Sequence, residues 1–137
     1  MGGPIGRSLT AAFNFVPKFF FARGFAHKPA PDVIDAYLAP WKDRRRRVAA
    51  VVAPRQLMVA SGYLREVEQG LTRFADRPVL IVWGTRDFAF GEAAGACFER
   101  RFPRHRTVLL SNASHFLQED AGDQIAEAFR AFRKEAG

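Results

Sequence analysis

Pro78–Gln118, reading PVLIVWGTRDFAFGEAAGACFERRFPRHRTVLLSNASHFLQ, contains two apolar runs, and each hands over to a polar residue able to do proton chemistry. Val79-Leu80-Ile81-Val82-Trp83 is β-branched and aromatic without alternation, which is the pattern of a strand covered on both faces in a parallel sheet. It stops at Gly84-Thr85-Arg86-Asp87. A helical stretch from about Gly91 to Phe102 follows, then a turn at Pro103 and a second short strand at Thr107–Leu110. Strand, helix, strand is a crossover that lays its two strands side by side and parallel. Asp87 therefore leaves the carboxyl end of the first strand and His115 the same end of the second, about one strand spacing (~5 Å) away. The pattern predicts a carboxylate and an imidazole within hydrogen-bond reach, at the edge where open α/β sheets place their ligands. Such a carboxylate can steady an imidazolium while the other ring nitrogen accepts a proton.

Working outward, the upstream region reads as helices broken every ten residues or so. Met1–Gly6 is turn chemistry, and Ser8 can cap a helix carrying Leu9, Phe13 and Val16 that Pro17 breaks. Phe19–Phe25 is a second short apolar piece. His27–Asp32 is a turn leading to an N-cap, and Val33–Leu38 gives one or two helical turns ending at Pro40. Lys42–Val52 reads as a helix with Val48, Val51 and Val52 on its apolar side, ended by Pro54. Ser61 opens Tyr63–Phe74, with Leu64, Val67, Leu71 and Phe74 on one face. Downstream, Gln124–Phe132 is a closing helix with Ile125, Ala128, Phe129 and Phe132 inward and Lys134 at the end that favours a cation. The organisation is thus a helical segment, 1–60, followed by an α/β segment, 61–137.

The chain has 137 residues, with 21 Lys plus Arg against 14 Asp plus Glu. Residues 1–78 hold 13 basic and 6 acidic residues, whereas 79–137 hold 8 of each, so the whole excess is upstream. A basic half raises nucleic acid or an anionic surface as partners. The arginines are scattered along helices, however, and the one run, Arg44–Arg47, reads as a solvated helix face. Neither nucleic acid nor membrane is expected as a partner. Phe13–Phe25 is rich in phenylalanine, yet Pro17, Lys18, Arg23 and Gly24 interrupt it well short of the ~20 residues a spanning helix needs. The single cysteine, Cys97, excludes an intrachain disulfide and reads as a small buried apolar residue in a reducing, cytoplasmic setting. His27, His105 and His115 show no metal-ligand spacing, and no cofactor is expected.

WGTRDFAF followed at this distance by SHFLQED resembles the C-terminal part of an α/β-hydrolase, and among those most the haloalkane dehalogenases. Trp83-Gly84-x-x-Asp87 is similar to the family's turn bearing the catalytic acid, and Ser114–Glu119 to the stretch bearing the catalytic histidine. Asp35–Trp41 and the arginines after it resemble the end of the family's helical cap. The resemblance implies a partial α/β-hydrolase fold: a helical cap-like segment plus the last two parallel strands and their helices. It implies catalytic roles for Asp87 and His115, and Trp41, Phe88 and Phe116 are expected to line a pocket for a small apolar substrate. In the family, the chain order is nucleophile, acid, histidine. A nucleophile elbow needs small residues two positions either side of the attacking group. The only Gly-x-x-x-Gly pairs here are centred on Pro4 and Ala93, which cannot attack. The expectation is a truncated chain that carries the acid and base without the first strands, oxyanion loop or elbow, and is inactive alone.

The implied reaction is displacement of halide by an aspartate, followed by hydrolysis of the alkyl ester by water that His115 activates. A serine nucleophile would instead make an esterase, and an aspartate aided by Tyr37 and Tyr63 an epoxide hydrolase. A different class of reading is a non-enzymatic or split-protein module that pairs with a complementary N-terminal chain. Two strands make a marginal sheet, so the isolated chain is expected to expose an apolar edge and to associate.

Overall fold

The computed structural model describes residues 4–137, so the turn expected over Met1–Gly3 lies outside the described residues. The chain divides into two compact units. One takes the chain up to Arg23 and then Pro29–Val67; the other joins Gly24–Lys28 to Glu68–Gly137.

The first unit is helical: α1 (Pro4–Phe13), α2 (Phe15–Arg23), α3 (Pro31–Leu38), a 3-10 turn at Ala39–Trp41, α4 (Arg47–Val59) and the start of α5 (Ser61–Gly70). Helix α1 packs on α2 and α4, and α2 on α3. The sequence reading of its breaks is corrected in three places. Pro4–Gly6 begin α1 instead of forming a turn, a position where proline costs no hydrogen bond. Pro17 breaks nothing, because it is the third residue of α2, and the break falls instead at Asn14, whose φ of 61° is left-handed. Asparagine is among the few side chains that tolerate that region. Pro54 lies within α4, which starts at Arg47 and runs on to Val59. Val48 and Val52 of α4 are exposed, so they do not form the buried side expected of them.

Arg47 is the fastener of this unit. Its Nε donates to the Trp41 carbonyl at 2.7 Å and Nη2 to that of Lys42 at 3.2 Å. Nη1 donates to the carbonyls of Ala12 at 3.1 Å and Ala11 at 3.4 Å. Those two belong to the last turn of α1, where unpaired carbonyls and the helix dipole favour a cation. Arg47 therefore departs from the solvated face expected of residues 44–47, whereas Arg44, Arg45 and Arg46 are exposed.

The second unit holds the sheet. Strands β1 (Val79–Gly84) and β2 (His105–Leu110) pair in parallel from Val79 opposite His105 to Gly84 opposite Leu110, with α6 (Glu92–Arg101) as the crossover. Strand β2 begins two residues before the expected Thr107. Helix α6 closes on β1 through Gly95, where a Cβ would stand 3.2 Å from the Trp83 ring. A short helix α7 (Leu117–Asp120) and the closing α8 (Gly122–Ala136) follow. Leu110, Ala113 and Ala121 form the buried core, with Val82, Val108, Leu117 and Ile125 against them. Two expected core residues lie outside it. Phe129 is 53% exposed, and Cys97 is exposed on α6, where Arg100 donates to its sulfur. The architecture is two parallel strands within a mostly helical chain, a partial α/β-hydrolase arrangement as the sequence implies.

Candidate active site at the carboxyl ends of the strands

The loops that leave β1 and β2 are laced together before any functional side chain is placed. Thr85 N–H donates to Leu110 O at 3.1 Å, and Arg86 N–H to Ala113 O at 3.1 Å. The Ser114 hydroxyl donates back to Arg86 O at 3.0 Å. Gly84 makes this approach possible. A Cβ there would stand 2.7 Å from the carbonyl oxygens of both Ala113 and Ser114, closer than real carbon contacts come. It is space, not backbone conformation, that requires glycine, since no glycine has positive φ among the described residues.

Asp87 and His115 meet across these loops. The imidazole Nδ1 stands 3.1 Å from Oδ1 and 3.1 Å from Oδ2 of the Asp87 carboxylate. Asp87 is held from behind as well: Oδ1 accepts the N–H groups of Ala89 at 2.8 Å and Phe90 at 3.0 Å, an Asx-type turn. Both side chains are largely enclosed, 11% exposed for Asp87 and 22% for His115. Burial pushes the Asp87 carboxyl up, but the backbone N–H groups of Phe90 and Ala89 and the His115 imidazole outweigh it. The net effect holds Asp87 below its ordinary 3.8. An ionised carboxylate has only acceptors to offer, so Nδ1 carries the hydrogen, and in the neutral ring Nε2 presents a lone pair. That nitrogen can take a proton from water or from an attacking group.

Aromatic rings surround the imidazole. Phe88 and Phe116 both meet it edge-on, with ring centroids at 5.9 Å and 5.3 Å, and Phe90 stacks on it at 5.7 Å. Of the five residues singled out from sequence, the structure brings together Asp87, His115, Phe88 and Phe116. Trp41 belongs to the helical unit, where its carbonyl accepts from Arg47. Sequence reasoning missed Phe90, Ser114 and Asp120. Phe90 had a signal, since its N–H falls three residues after an Asp at a strand end, within reach of an Asx-type turn. Asp120 had only the HFLQED string. Its carboxylate binds the backbone of Ala26, His27 and Ser114, and Ala26 is 94 residues away.

Among the described residues no group of three His, Cys, Asp or Glu could hold a metal ion, and no helix is long and apolar enough to cross a membrane.

A family model described as the alpha/beta hydrolase fold matches residues 8–122. The chain is 30% identical over 133 residues to a cis-3-alkyl-4-alkyloxetan-2-one decarboxylase of Xanthomonas campestris, a match covering 93% of this chain and 44% of that protein. It is 32% identical over 117 residues to haloalkane dehalogenase 2 of Mycobacterium tuberculosis, covering 84% of this chain and 41% of that one. Among solved structures, the haloalkane dehalogenase DbeA of Bradyrhizobium elkani superposes with a TM-score of 0.77 at 21% identity. That superposition covers 98% of this chain and 50% of the other, and at this identity it speaks for the fold. The chain spans less than half the length of the two curated relatives. With the parallel strands, their joined loops and the family match over most of its length, the chain belongs to the α/β-hydrolase fold family and resembles its haloalkane dehalogenases.

Proposed function

We propose that this chain supplies the acid and base of a haloalkane dehalogenase-like hydrolase, whose nucleophile resides outside these 137 residues. The observation that carries this reading is the contact of His115 Nδ1 with both oxygens of Asp87 at 3.1 Å, inside an aromatic enclosure. In the proposed reaction a carboxylate oxygen of the nucleophile forms a bond to the substrate carbon as the carbon–halogen bond breaks, and halide leaves with the bonding pair. Water then attacks the carbonyl carbon of the resulting ester and gives its proton to His115 Nε2. The alcohol departs, taking that proton, and the second proton of the attacking water is released to solvent from the carboxylic acid left behind, which regenerates the carboxylate and balances the halide. Asp87 stabilises the imidazolium in between. No cofactor enters the scheme. Phe88 and Phe116 are assigned to the apolar wall of the substrate site, and the chain is read as a cap-like segment, 1–60, and a core segment, 61–137. Esterase chemistry differs from this scheme in its serine nucleophile, and epoxide hydrolase chemistry, which keeps the aspartate, in its use of Tyr37 and Tyr63.

The match to an oxetan-2-one decarboxylase, which extends over more of this chain than the dehalogenase match, favours one second reading. An oxetan-2-one is a four-membered lactone, and its decarboxylation yields an alkene and carbon dioxide with no water consumed. His115 would then have no ester to hydrolyse.

The test mixes the chain with a separately produced N-terminal half of a related hydrolase and offers a short bromoalkane or a cis-dialkyl β-lactone. Steady halide release by the mixture is the expected result. With His115→Ala, halide is expected to stop after one equivalent, because the ester forms and is not hydrolysed, with steady turnover down about 10²–10⁴-fold or more. Alkene formation from the lactone without halide release would favour the second reading. Full turnover with His115→Ala would remove the acid–base assignment, and association without any turnover would leave the split-module reading.

A further inference from the structure

The imidazole of His115 is oriented by Asp87, but its backbone is held from another quarter. Its two neighbours are both tied. Ser114 N–H donates to Asp120 Oδ2 at 2.9 Å, and Phe116 N–H donates to the carbonyl of Gly24 at 2.9 Å. Gly24 opens the five-residue strap Gly24–Lys28, which the chain contributes to this unit from between two helices of the other. Asp120 grips the same strap. Ala26 N–H donates to both its oxygens, at 3.0 and 2.9 Å, and His27 N–H to Oδ1 at 3.3 Å. Phe25 of the strap stacks on Phe116, ring centroids 4.8 Å apart. One half-buried carboxylate therefore accepts N–H groups from three residues on two segments, and charge-assisted bonds of this kind are about twice as strong as neutral ones.

We propose that Asp120 is the positioning residue of this site: its carboxylate clasps the 24–28 strap to the histidine loop and so fixes where His115 stands relative to Asp87. Asp120 touches neither His115 nor, in the scheme above, the reacting atoms. It acts through the backbone on either side of the histidine. The carboxylate is required because a carboxamide keeps one acceptor and turns an NH₂ towards N–H groups that need an oxygen. The inference rests on the acid–base reading only for its consequence in catalysis, since the clasp itself is a matter of local structure.

The test follows amide exchange and the His115 ring nitrogens by NMR in the ¹⁵N-labelled 137-residue chain. In Asp120→Asn the Ser114 and Phe116 amides are expected to exchange at least tenfold faster while those of β1 and β2 keep their rates. The imidazole is expected to pass from the single Nδ1–H tautomer to a mixture. Asp120→Glu should restore part of the protection. Unchanged exchange at 114 and 116 with an unchanged tautomer would overturn the proposal. If Asp120→Asn exposes the sheet as well, replacing only the Ala26 amide by an ester removes its two bonds to Asp120. Loosening at 114–116 then supports the clasp, and its absence refutes it. Failure of the hydrolase reading would look different: the exchange pattern would stand while His115→Ala retained turnover.

Discussion

The helical unit and the sheet unit use opposite means to fix their parts. In the helical unit a single side chain, Arg47, gathers the carbonyls of Ala11, Ala12, Trp41 and Lys42, and several large apolar side chains, among them Leu57, Met58 and Val59, face outward. In the sheet unit the backbone does the joining. Two loops exchange N–H and carbonyl groups across Gly84, and the polar side chains that matter, Asp87, Ser114 and Asp120, are bonded to backbone in their turn. Proton transfer tolerates errors of a few tenths of an ångström, and backbone bonds supply that tolerance while long flexible side chains do not.

The largest effect on this contrast is expected from Gly84→Ala. The added methyl must displace the carbonyls of Ala113 and Ser114, both of them backbone with no side-chain freedom to yield. Overpacking of this kind costs about 1–3 kcal/mol. The expected outcome is a lowered unfolding midpoint in urea together with loss of the Asp87–His115 contact in the spectrum of the imidazole. A variant as stable as the parent, with that contact kept, would show that the loops have slack and that backbone joining is not what sets the site.

Arg47→Ala probes the other side of the comparison. Losing a cation from the last turn of α1 and four carbonyl contacts is expected to cost about 1 kcal/mol net, since most of those bonds are open to solvent. Arg44→Ala, three residues earlier and exposed, should stay within about 0.5 kcal/mol of the parent. Urea unfolding followed by helical circular dichroism measures both. Equal effects would mean that the Arg44–Arg47 run is a solvated face throughout, as sequence alone suggested.

What the sequence made legible has a physical boundary. The run Val79–Trp83, Asp87 after its end and His115 after the next strand are local patterns, and a parallel crossover converts them into a contact by geometry alone. Proline positions were misread because a proline's effect depends on where the helix starts: Pro17 falls in the first turn of α2 and is tolerated, whereas Asn14 makes the break. Cys97 was expected inside on residue type, but Gly95 meets Trp83 on α6 while the sulfur faces out. The Asp120 clasp was beyond reach, because its donors at Ala26 and His27 are main-chain groups that any sequence would offer.

The smallest expected effect concerns pH, and its sign is fixed by Asp87. Its carboxyl lies below 3.8 in the folded chain, so the folded state binds that proton less readily than the unfolded chain does. The stability it contributes is therefore fully present above about 3.8 and is lost as pH falls through the lower folded-state value. Thermal unfolding of the parent and of Asp87→Asn between pH 7 and pH 2 measures this directly. The difference between the two midpoints should shrink as pH falls through the carboxylate range. A difference that grew on acidification would mean that burial dominates over the N–H groups of Ala89 and Phe90. The loop would then hold a carboxyl suited to donating a proton, and the proposed division of labour, in which Asp87 stays charged while His115 carries the proton, would have to be reversed.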